Sequence, residues 1–325
     1  MARTAVEEAL LSGVNLHVGA KFSDGTFPHN FWVSPNGNDG LGNGSFDAPF
    51  ATVKRGIRQA RDNRGDRVIV GSGSYAETVD IGSGGTTYGI SGGYAKRGLQ
   101  IIGDDSVHNG RVQIIGDGST AQATLRVLTD YLAGFVLKHV ELDTNGVAQP
   151  ALHLVTSNTA SGSQSNPSIR FAVANVAVRS NDPSVGVLLE GATLGDLHDL
   201  HIEGPTLGIA LAGSASNIPR DLKFWDIDFM DCVTADICTL TQTSPTIIGS
   251  PGALANIQFR RMRHWDRGGT PVTHYVNMVG AGYVNVHFFD CWAARDVGDG
   301  TLLELPANVV WIGQSAAAAE YIIGS

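Results

Sequence analysis

Six copies of a spaced apolar pattern occupy the second half of the chain. Each copy reads apolar, two variable residues, apolar, one variable residue, apolar, and successive copies begin 24 to 36 residues apart. Self-similarity with a period of about 20 to 50 residues indicates an architecture in which identical units stack on one another. The copies are Leu137, Val140 and Leu142; Val173, Val176 and Val178; Leu197, Leu200 and Ile202; Phe224, Ile227 and Phe229; Phe259, Met262 and His264; and Val286, Phe289 and Cys291.

Each copy predicts a β-strand. The segments are short, rich in Val, Ile and Phe, and separated by Gly, Asn, Asp and Ser. The last two apolar positions share one face of a strand, whereas the first lies three residues away, which predicts a bend or bulge. A second short strand follows each copy, for example at Leu152 and Leu154. Strand, turn, strand and variable loop, repeated without helices, predict an all-β chain folded as a single-stranded right-handed parallel β-helix.

The first end of such a coil exposes apolar side chains and needs a cap. Val53, Ile57 and Ala60 recur at helical spacing, and Thr52 precedes them as a candidate N-cap. We therefore predict a capping helix at 52–62 within a β-helix domain of residues 31–325. Residues 1–30 do not fit the repeat. They are either an extended N-terminal attachment arm or a segment folded back on the cap.

A series of motifs after residue 30 carries a family resemblance. The motifs are Phe31–Gly40, Asp47–Val53, Gly65–Val70 and Gly73–Tyr75. In that order they resemble the N-terminal segment of the pectate-lyase-like β-helix superfamily. The resemblance implies the β-helix fold and a capping helix. It does not imply one activity, because the superfamily includes lyases, hydrolases, epimerases, adhesins and viral spikes.

Composition and charge argue against some classes of binding partner. The formal net charge is −9, which argues against binding of nucleic acid. No run approaches the ~20 apolar residues that span a bilayer, so membrane insertion is not expected. The three cysteines, Cys232, Cys238 and Cys291, have neither disulfide-framework nor metal-site spacing, and Cys291 is predicted to be a packed, reduced thiol.

Outward positions of the repeated strand form an acidic and aromatic stripe. Neighbouring rungs place equivalent positions about 5 Å apart, and alternate residues of one strand lie about 7 Å apart. The acidic and histidine members are Asp199, His201, Glu203, Asp226 and Asp228, and the candidate sugar-stacking side chains are Trp225, Trp265 and Trp292.

Two interpretations of this stripe remain open. In the first, Asp226 and Asp228, with Asp199 as a further candidate, act as the acid and base of a glycosidase, whose paired carboxylates are about 5 to 9.5 Å apart. His201, Glu203 and the tryptophans would then bind the glycan. In the second, the charges form a salt-bridged ladder of alternating sign along Asp228, Arg263 and Asp290.

A polysaccharide lyase would need a base and often a calcium ion bound by carboxylates. Arg260, Arg261 and Arg263 lie one rung from the acidic residues, but no lyase motif accompanies them. The loop Asn36–Gly40 lacks the full spacing of a calcium loop and predicts a turn. We predict no metal site and no required cofactor, with Ca²⁺ as the one ion kept open. His264 at an inward position predicts a register slip that would turn Trp265 inside; the second interpretation is a core histidine whose hydrogen bonds are satisfied, and the third is a ligand.

The functional prediction combines the predicted fold with the sequence of the N-terminus. Residues 1–13 contain no continuous apolar core of signal-peptide length. A surface-type fold without an export signal predicts a virion surface protein of a tailed phage: a spike, fibre or capsid decoration. It would be a homotrimer that binds other virion proteins through residues 1–30 and contacts host surface polysaccharide. The alternatives are a polysaccharide-active enzyme, either a glycan lyase or a glycoside hydrolase, and a bacterial surface adhesin.

Overall fold

In the computed structural model, the chain coils into a right-handed β-helix of parallel strands. The structure describes residues 27–62, 64–82, 97–104, 111–118, 123–128, 134–155, 170–180, 184–213, 218–240, 253–265, 272–279, 283–293, 303–304 and 309–312. Most of the predicted attachment arm, residues 1–26, lies outside these ranges.

One helix and 21 strands occur in the described ranges. The helix α1 is Val53–Gln59. The strands are β1 (Asn30–Val33), β2 (Arg67–Val70), β3 (Gly73–Ala76), β4 (Val79–Ile81), β5 (Gln100–Gly103), β6 (Val112–Ile115), β7 (Leu125–Leu128), β8 (Val136–Asp143), β9 (Leu152–Val155), β10 (Phe171–Arg179), β11 (Val185–Glu190), β12 (Thr193–Glu203), β13 (Leu207–Ala212), β14 (Arg220–Met230), β15 (Ala235–Thr239), β16 (Leu254–Trp265), β17 (His274–Asn277), β18 (Tyr283–Phe289), β19 (Trp292–Ala293), β20 (Leu303–Glu304) and β21 (Val309–Ile312).

Two parallel sheets run side by side. The larger has 13 strands, with the main order β1-β2-β5-β8-β10-β12-β14-β16-β18-β21 and with β3, β6 and β19 attached at its side. The smaller has eight strands in the order β20-β17-β15-β13-β11-β9-β7-β4. From β8 to β17, each rung contributes one long strand to the larger sheet and one short strand to the smaller, as the repeat predicts.

The three-residue spacing in the repeat corresponds to a sharp bend in each long strand. In each of the six copies, the residue just before the middle apolar position has φ between 50° and 55°, the left-handed region. Such a residue turns the chain without the space of a loop, so one long strand covers two faces of the coil. The predicted bend is confirmed, and its residues, which we call the bend column, are His139, Asn175, Asp199, Asp226, Arg261 and Asp290.

Apolar side chains stack in columns inside the coil. Leu137, Val173, Leu197 and Phe224 pair in register on successive strands and are fully buried. The column continues as stacked rings, with centroids 4.7 Å apart between Phe224 and Phe259. The ring centroids of the next pair, Phe259 and Phe288, are 4.4 Å apart, and the two ring planes are nearly parallel. Each rung therefore buries the inner face of its neighbour, which an isolated rung could not do.

This stacking corrects the predicted sixth copy of the repeat. Phe288, not Phe289, pairs with Phe259 and is buried, so the copy reads Phe288, Cys291 and Ala293. The spacing rule failed because Val286 is also inward, where it pairs with Ile257 before the bend.

The predicted register slip at His264 is wrong. His264 pairs with Phe229 and is only 1% exposed, whereas Trp265 is 42% exposed. The imidazole is accommodated inside because its Nδ1 lies 2.7 Å from Oδ2 of the buried Asp236. The ring also packs edge-on against Tyr275, with centroids 4.6 Å apart.

The capping helix is shorter than predicted, but it uses the predicted N-cap. Oγ1 of Thr52 accepts a hydrogen bond from the Arg55 N–H at 3.1 Å. Gly56 lets the helix approach the first rung closely, since a Cβ there would lie 2.8 Å from a methyl of Val68. The buried Glu77 accepts the Val53 N–H at 2.6 Å and so closes the N-terminus.

All three cysteines are buried, reduced thiols, as predicted for Cys291. Burial raises the pKa of the Cys291 thiol to about 11 and that of Cys238 well above its ordinary range. Neither thiol is therefore suited to act as a thiolate nucleophile.

Candidate functional site

The predicted acid and base, Asp226 and Asp228, both form ion pairs with arginines on the next strand. Nε and Nη2 of Arg261 each donate to the Asp226 carboxylate at 2.6 Å. Arg263 holds Asp228 with Nε 2.6 Å from Oδ1 and Nη2 donating to Oδ2 at 3.1 Å. Hydrogen bonding to Asp226 raises the pKa of the Arg261 guanidinium. This arrangement is the ladder of the second interpretation, and catalysis by these carboxylates would require both pairs to open.

The ladder differs from its predicted order at one position. Because the sixth copy begins at Phe288, Asp290 follows Arg261 in the bend column rather than following Arg263. Trp292 takes the position beside Arg263.

Glu203, a further acidic candidate, belongs to a longer network on the same face. Glu203 lies 3.0 Å from Nη1 of Arg179 and 3.6 Å from Nε2 of His201. Arg179 also approaches the buried Glu141 at 3.4 Å, and Arg111 pairs with the same carboxylate. These contacts link side chains from Arg111, just before β6, to β12, and they agree with a role in holding neighbouring rungs together.

Asp199 lies apart from this network. It belongs to the bend column, and its Oδ2 is 2.8 Å from Nδ1 of the exposed His198.

The three candidate tryptophans do not form one platform. Trp225 is 38% exposed and precedes the bend in β14, next to Arg260 of β16. Trp265 follows the bend and pairs with Met230. The side chain of Trp292 lies outside the described part of the structure. Trp225 and Trp265 therefore face different sides of the bent sheet.

The structure brings together a second group of ionisable residues that the sequence interpretation missed. Asp80, Arg126 and His153 pair in register on β4, β7 and β9 of the smaller sheet. Their chain neighbours are core residues, so alternation places the three side chains on the outer face. Glu190 of β11 joins them, with its Oε2 3.2 Å from Nε2 of His153. We call these four residues the polar row.

Burial distinguishes the polar row from the exposed ladder. The side chains of Arg126 and Asp80 are 4% and 10% exposed, and Nε and Nη2 of Arg126 donate to the carboxylate at 3.1 and 2.9 Å. Burial nevertheless raises the pKa of the Asp80 carboxyl, against the opposing effects of Arg126 and His153. Desolvation here outweighs the ion pair, a condition that clusters at functional sites.

A recognisable sequence signal accompanies the polar row. Each member on β4, β7 and β9 is the charged or histidine residue of an apolar–polar–apolar triplet, as in Val79-Asp80-Ile81. The same column continues as Leu188, Ala210 and Cys238, which belong to a separate buried apolar cluster. Aligning the second strand of each rung would have singled out the change from polar to apolar residues.

Neither a metal site nor a membrane-spanning helix occurs among the described residues. No group of three or more His, Cys, Asp and Glu side chains in them is arranged to hold a metal ion. The candidate loop Asn36–Gly40 is a turn in which Asp39 accepts hydrogen bonds from Ala51 and Thr52, at 2.7 Å from each nearest donor. In the same part of the chain, no helix is both long and apolar enough to cross a bilayer.

Comparison with known proteins identifies the fold. No protein-family model matches the chain, and no curated protein matches it in sequence. Among solved structures, a rhamnogalacturonan lyase is similar with a TM-score of 0.51 and 12% identity, over 87% of this chain and 73% of that chain. The Aspergillus niger pectin methylesterase has a TM-score of 0.51 at 13% identity, over 92% and 90% of the two chains.

A third similar structure is the pectin methylesterase from carrot, with a TM-score of 0.50 and 14% identity, over 91% of this chain and 85% of that chain. These proteins are parallel β-helix members of the pectate-lyase-like superfamily, which supports the fold implied by the sequence resemblance. Identities this low show the fold alone.

Proposed function

We propose that this protein is a polysaccharide-active enzyme and that the polar row is its reaction site. The observation that carries the proposal is the burial of three ionisable side chains, Asp80, Arg126 and His153, on the outer face of a sheet, with the partly exposed Glu190 beside them. Structures with the same fold include a rhamnogalacturonan lyase and pectin methylesterases. A β-helix also presents a long regular surface along which a linear polymer can lie.

The spacing of the row favours elimination over hydrolysis by paired carboxylates. Asp80 and Glu190 belong to strands three steps apart, so their backbones are separated by about 14 Å. Glycosidases need carboxylates about 5 to 9.5 Å apart. Elimination needs one base and a nearby positive charge, which His153 and Arg126 supply on adjacent strands.

The proposed step uses His153 as the base. In the tautomer that donates Nε2–H to Glu190, Nδ1 carries the lone pair that accepts a proton. That proton leaves the carbon next to the carboxylate of a uronic acid unit. The released electron pair forms a carbon–carbon double bond as the glycosidic bond at the neighbouring carbon breaks, and the departing oxygen takes a proton from solvent. Arg126, oriented by Asp80, stabilises the negative charge that develops on the carboxylate.

The test is cleavage of uronic acid polymers. Polygalacturonate and alginate would be incubated with the protein, and the unsaturated product followed by its ultraviolet absorbance, with neutral xylan as a substrate control. His153→Gln should lower the rate by about 10²–10⁴-fold, the usual contribution of a general base. His201→Gln, a change at a histidine of the larger sheet, should leave the rate unchanged. Cleavage of neither uronate polymer, or an active His153→Gln variant, would contradict the proposal.

The interpretation as a virion surface protein stays a prediction, as do the homotrimer and attachment through residues 1–30. The adhesin alternative has the same standing. We place the enzyme first because the similar structures act on polysaccharides and because the polar row has the burial expected of a reaction site.

A further inference from the structure

A polar groove crosses the larger sheet on the side that precedes the bend column. Its volume is about 250 Å³, slightly below the range of about 300–1,000 Å³ for drug-sized ligand pockets, so it suits one short segment of a longer chain. The groove crosses strands β12, β14 and β16 and reaches the residue that precedes β10. Its polar lining consists of Arg170, Asp196, Asp221, Lys223, Asn256 and Gln258.

The backbone around the groove is held in place. Asp221 and Asn256 occupy equivalent left-handed positions, with φ of 54° in both, and Nδ2 of Asn256 donates to Oδ1 of Asp221 at 2.9 Å. Asn285 extends this row of side-chain hydrogen bonds, with its Nδ2 donating to Oδ1 of Asn256 at 3.0 Å. Gly195 lies at the floor of the groove, and its missing side chain leaves room for the buried ring of Phe171 beneath it, since a Cβ there would lie 2.1 Å from that ring.

An exposed aromatic side chain borders the groove. The Trp225 ring lies 6.0 Å from Nζ of Lys223, which lines the groove two residues earlier on the same strand face. The guanidinium of Arg260 lies 6.0 Å from the same ring, and its Nη2 donates to Gln258 at 3.3 Å. These cations restrain the indole beside the polar lining while its ring remains more than one-third exposed.

The chemistry of the lining selects the class of ligand. Two carboxylates, Asp196 and Asp221, oppose the two cations Arg170 and Lys223, so the groove carries no net charge. Asn256 and Gln258 add amides that both donate and accept hydrogen bonds. A balanced, densely polar lining with one aromatic face suits a neutral, hydroxyl-rich ring. For a uronic acid, each cation of the groove that attracts the sugar carboxylate is matched by a carboxylate that repels it.

We propose that this groove binds neutral sugar units at a site separate from the polar row. The two sites lie on different sheets, so binding here requires no catalysis. Taken with the proposed function, the groove would hold neutral residues of a polymer whose uronate units react elsewhere, but the binding claim stands without that function.

The experiment is direct binding. The protein would be applied to an array of neutral and acidic oligosaccharides, and the strongest neutral hexasaccharide and hexagalacturonate would then be titrated by calorimetry. The neutral ligand should bind, and Trp225→Ala should weaken binding by at least about tenfold, as expected when an aromatic contact residue is removed. Trp265→Ala, which removes an equally exposed tryptophan on the other side of the bend, should change affinity less than about twofold.

Three results would overturn the proposal: no binding of any neutral oligosaccharide, tighter binding of hexagalacturonate, or equal losses in the two tryptophan variants. Gln258→Ala gives a second measurement with a smaller structural change, and it should also weaken the neutral ligand. His153→Gln should bind the neutral ligand normally. Failure of the groove and failure of the polar row are therefore separate outcomes.

Discussion

Replacing Asn175 by valine should destabilise the β-helix through the backbone alone. Asn175 belongs to the bend column with φ of 52°, and its side chain is exposed, so little burial is lost on substitution. Left-handed backbone costs an ordinary residue about 1–2 kcal/mol, which asparagine tolerates better than most and glycine does not incur. A β-branched side chain is among the least compatible with this region. We expect Asn175→Val to lower the free energy of unfolding by about 1–2 kcal/mol, and Asn175→Gly to change it by less than about 1 kcal/mol.

Urea unfolding provides the measurement, with midpoints compared between variants of equal slope. Ala177→Val is the matched control, because residue 177 follows two positions later on the same strand and does not have a positive φ. Valine is favoured in extended strands, so this variant should be close to the parent in stability. If Asn175→Val were as stable as Asn175→Gly, the bend would not depend on left-handed backbone and the explanation of the repeat spacing would fail.

Three further predictions concern buried positions. Gly195→Ala should lower the free energy of unfolding by about 1–3 kcal/mol, because the new Cβ meets the buried ring of Phe171. Unchanged stability would mean that the ring can move aside. Asp80→Asn should cost about 3–5 kcal/mol in the same assay by leaving the buried Arg126 without its countercharge, and Asp80→Leu combined with Arg126→Met should recover most of that loss. Burial raises the pKa of Glu77 above its ordinary value of 4.5. The contribution of its protonated form to stability is therefore complete below that ordinary value, and it declines as pH rises through the folded pKa. Urea unfolding from about pH 4 to 8 should show that Glu77→Gln removes this decline, and an unchanged pH profile in the variant would contradict the prediction.

The fold could be predicted because its determinants repeat within single strands. The three-residue step in each copy is a direct consequence of the left-handed residue, as at Asn175 and Asp226. The last copy could not be placed by spacing, since Val286, Phe288 and Phe289 are all apolar. The choice among them depends on ring stacking against Phe259, which is a contact between rungs.

The candidate site was only partly predictable, for a related reason. Charge alternation on neighbouring rungs correctly suggested that Asp228 and Arg263 form a ladder, because residues in register lie close together. Aligning the second strands would have brought the members of the polar row together, but it could not have shown that they are buried. Asp80 and Arg126 are 46 residues apart, and their burial depends on packing that residue spacing does not express.

The most direct test of the proposed function is the rate at which the protein cleaves polygalacturonate and alginate, measured for the parent and for His153→Gln. We expect an unsaturated product from at least one polymer, with a rate that falls at least about 10²-fold in the variant while His201→Gln retains the parental rate. A parent protein that cleaves neither polymer, or a His153→Gln variant as active as the parent, would contradict the assignment of the polar row as a reaction site.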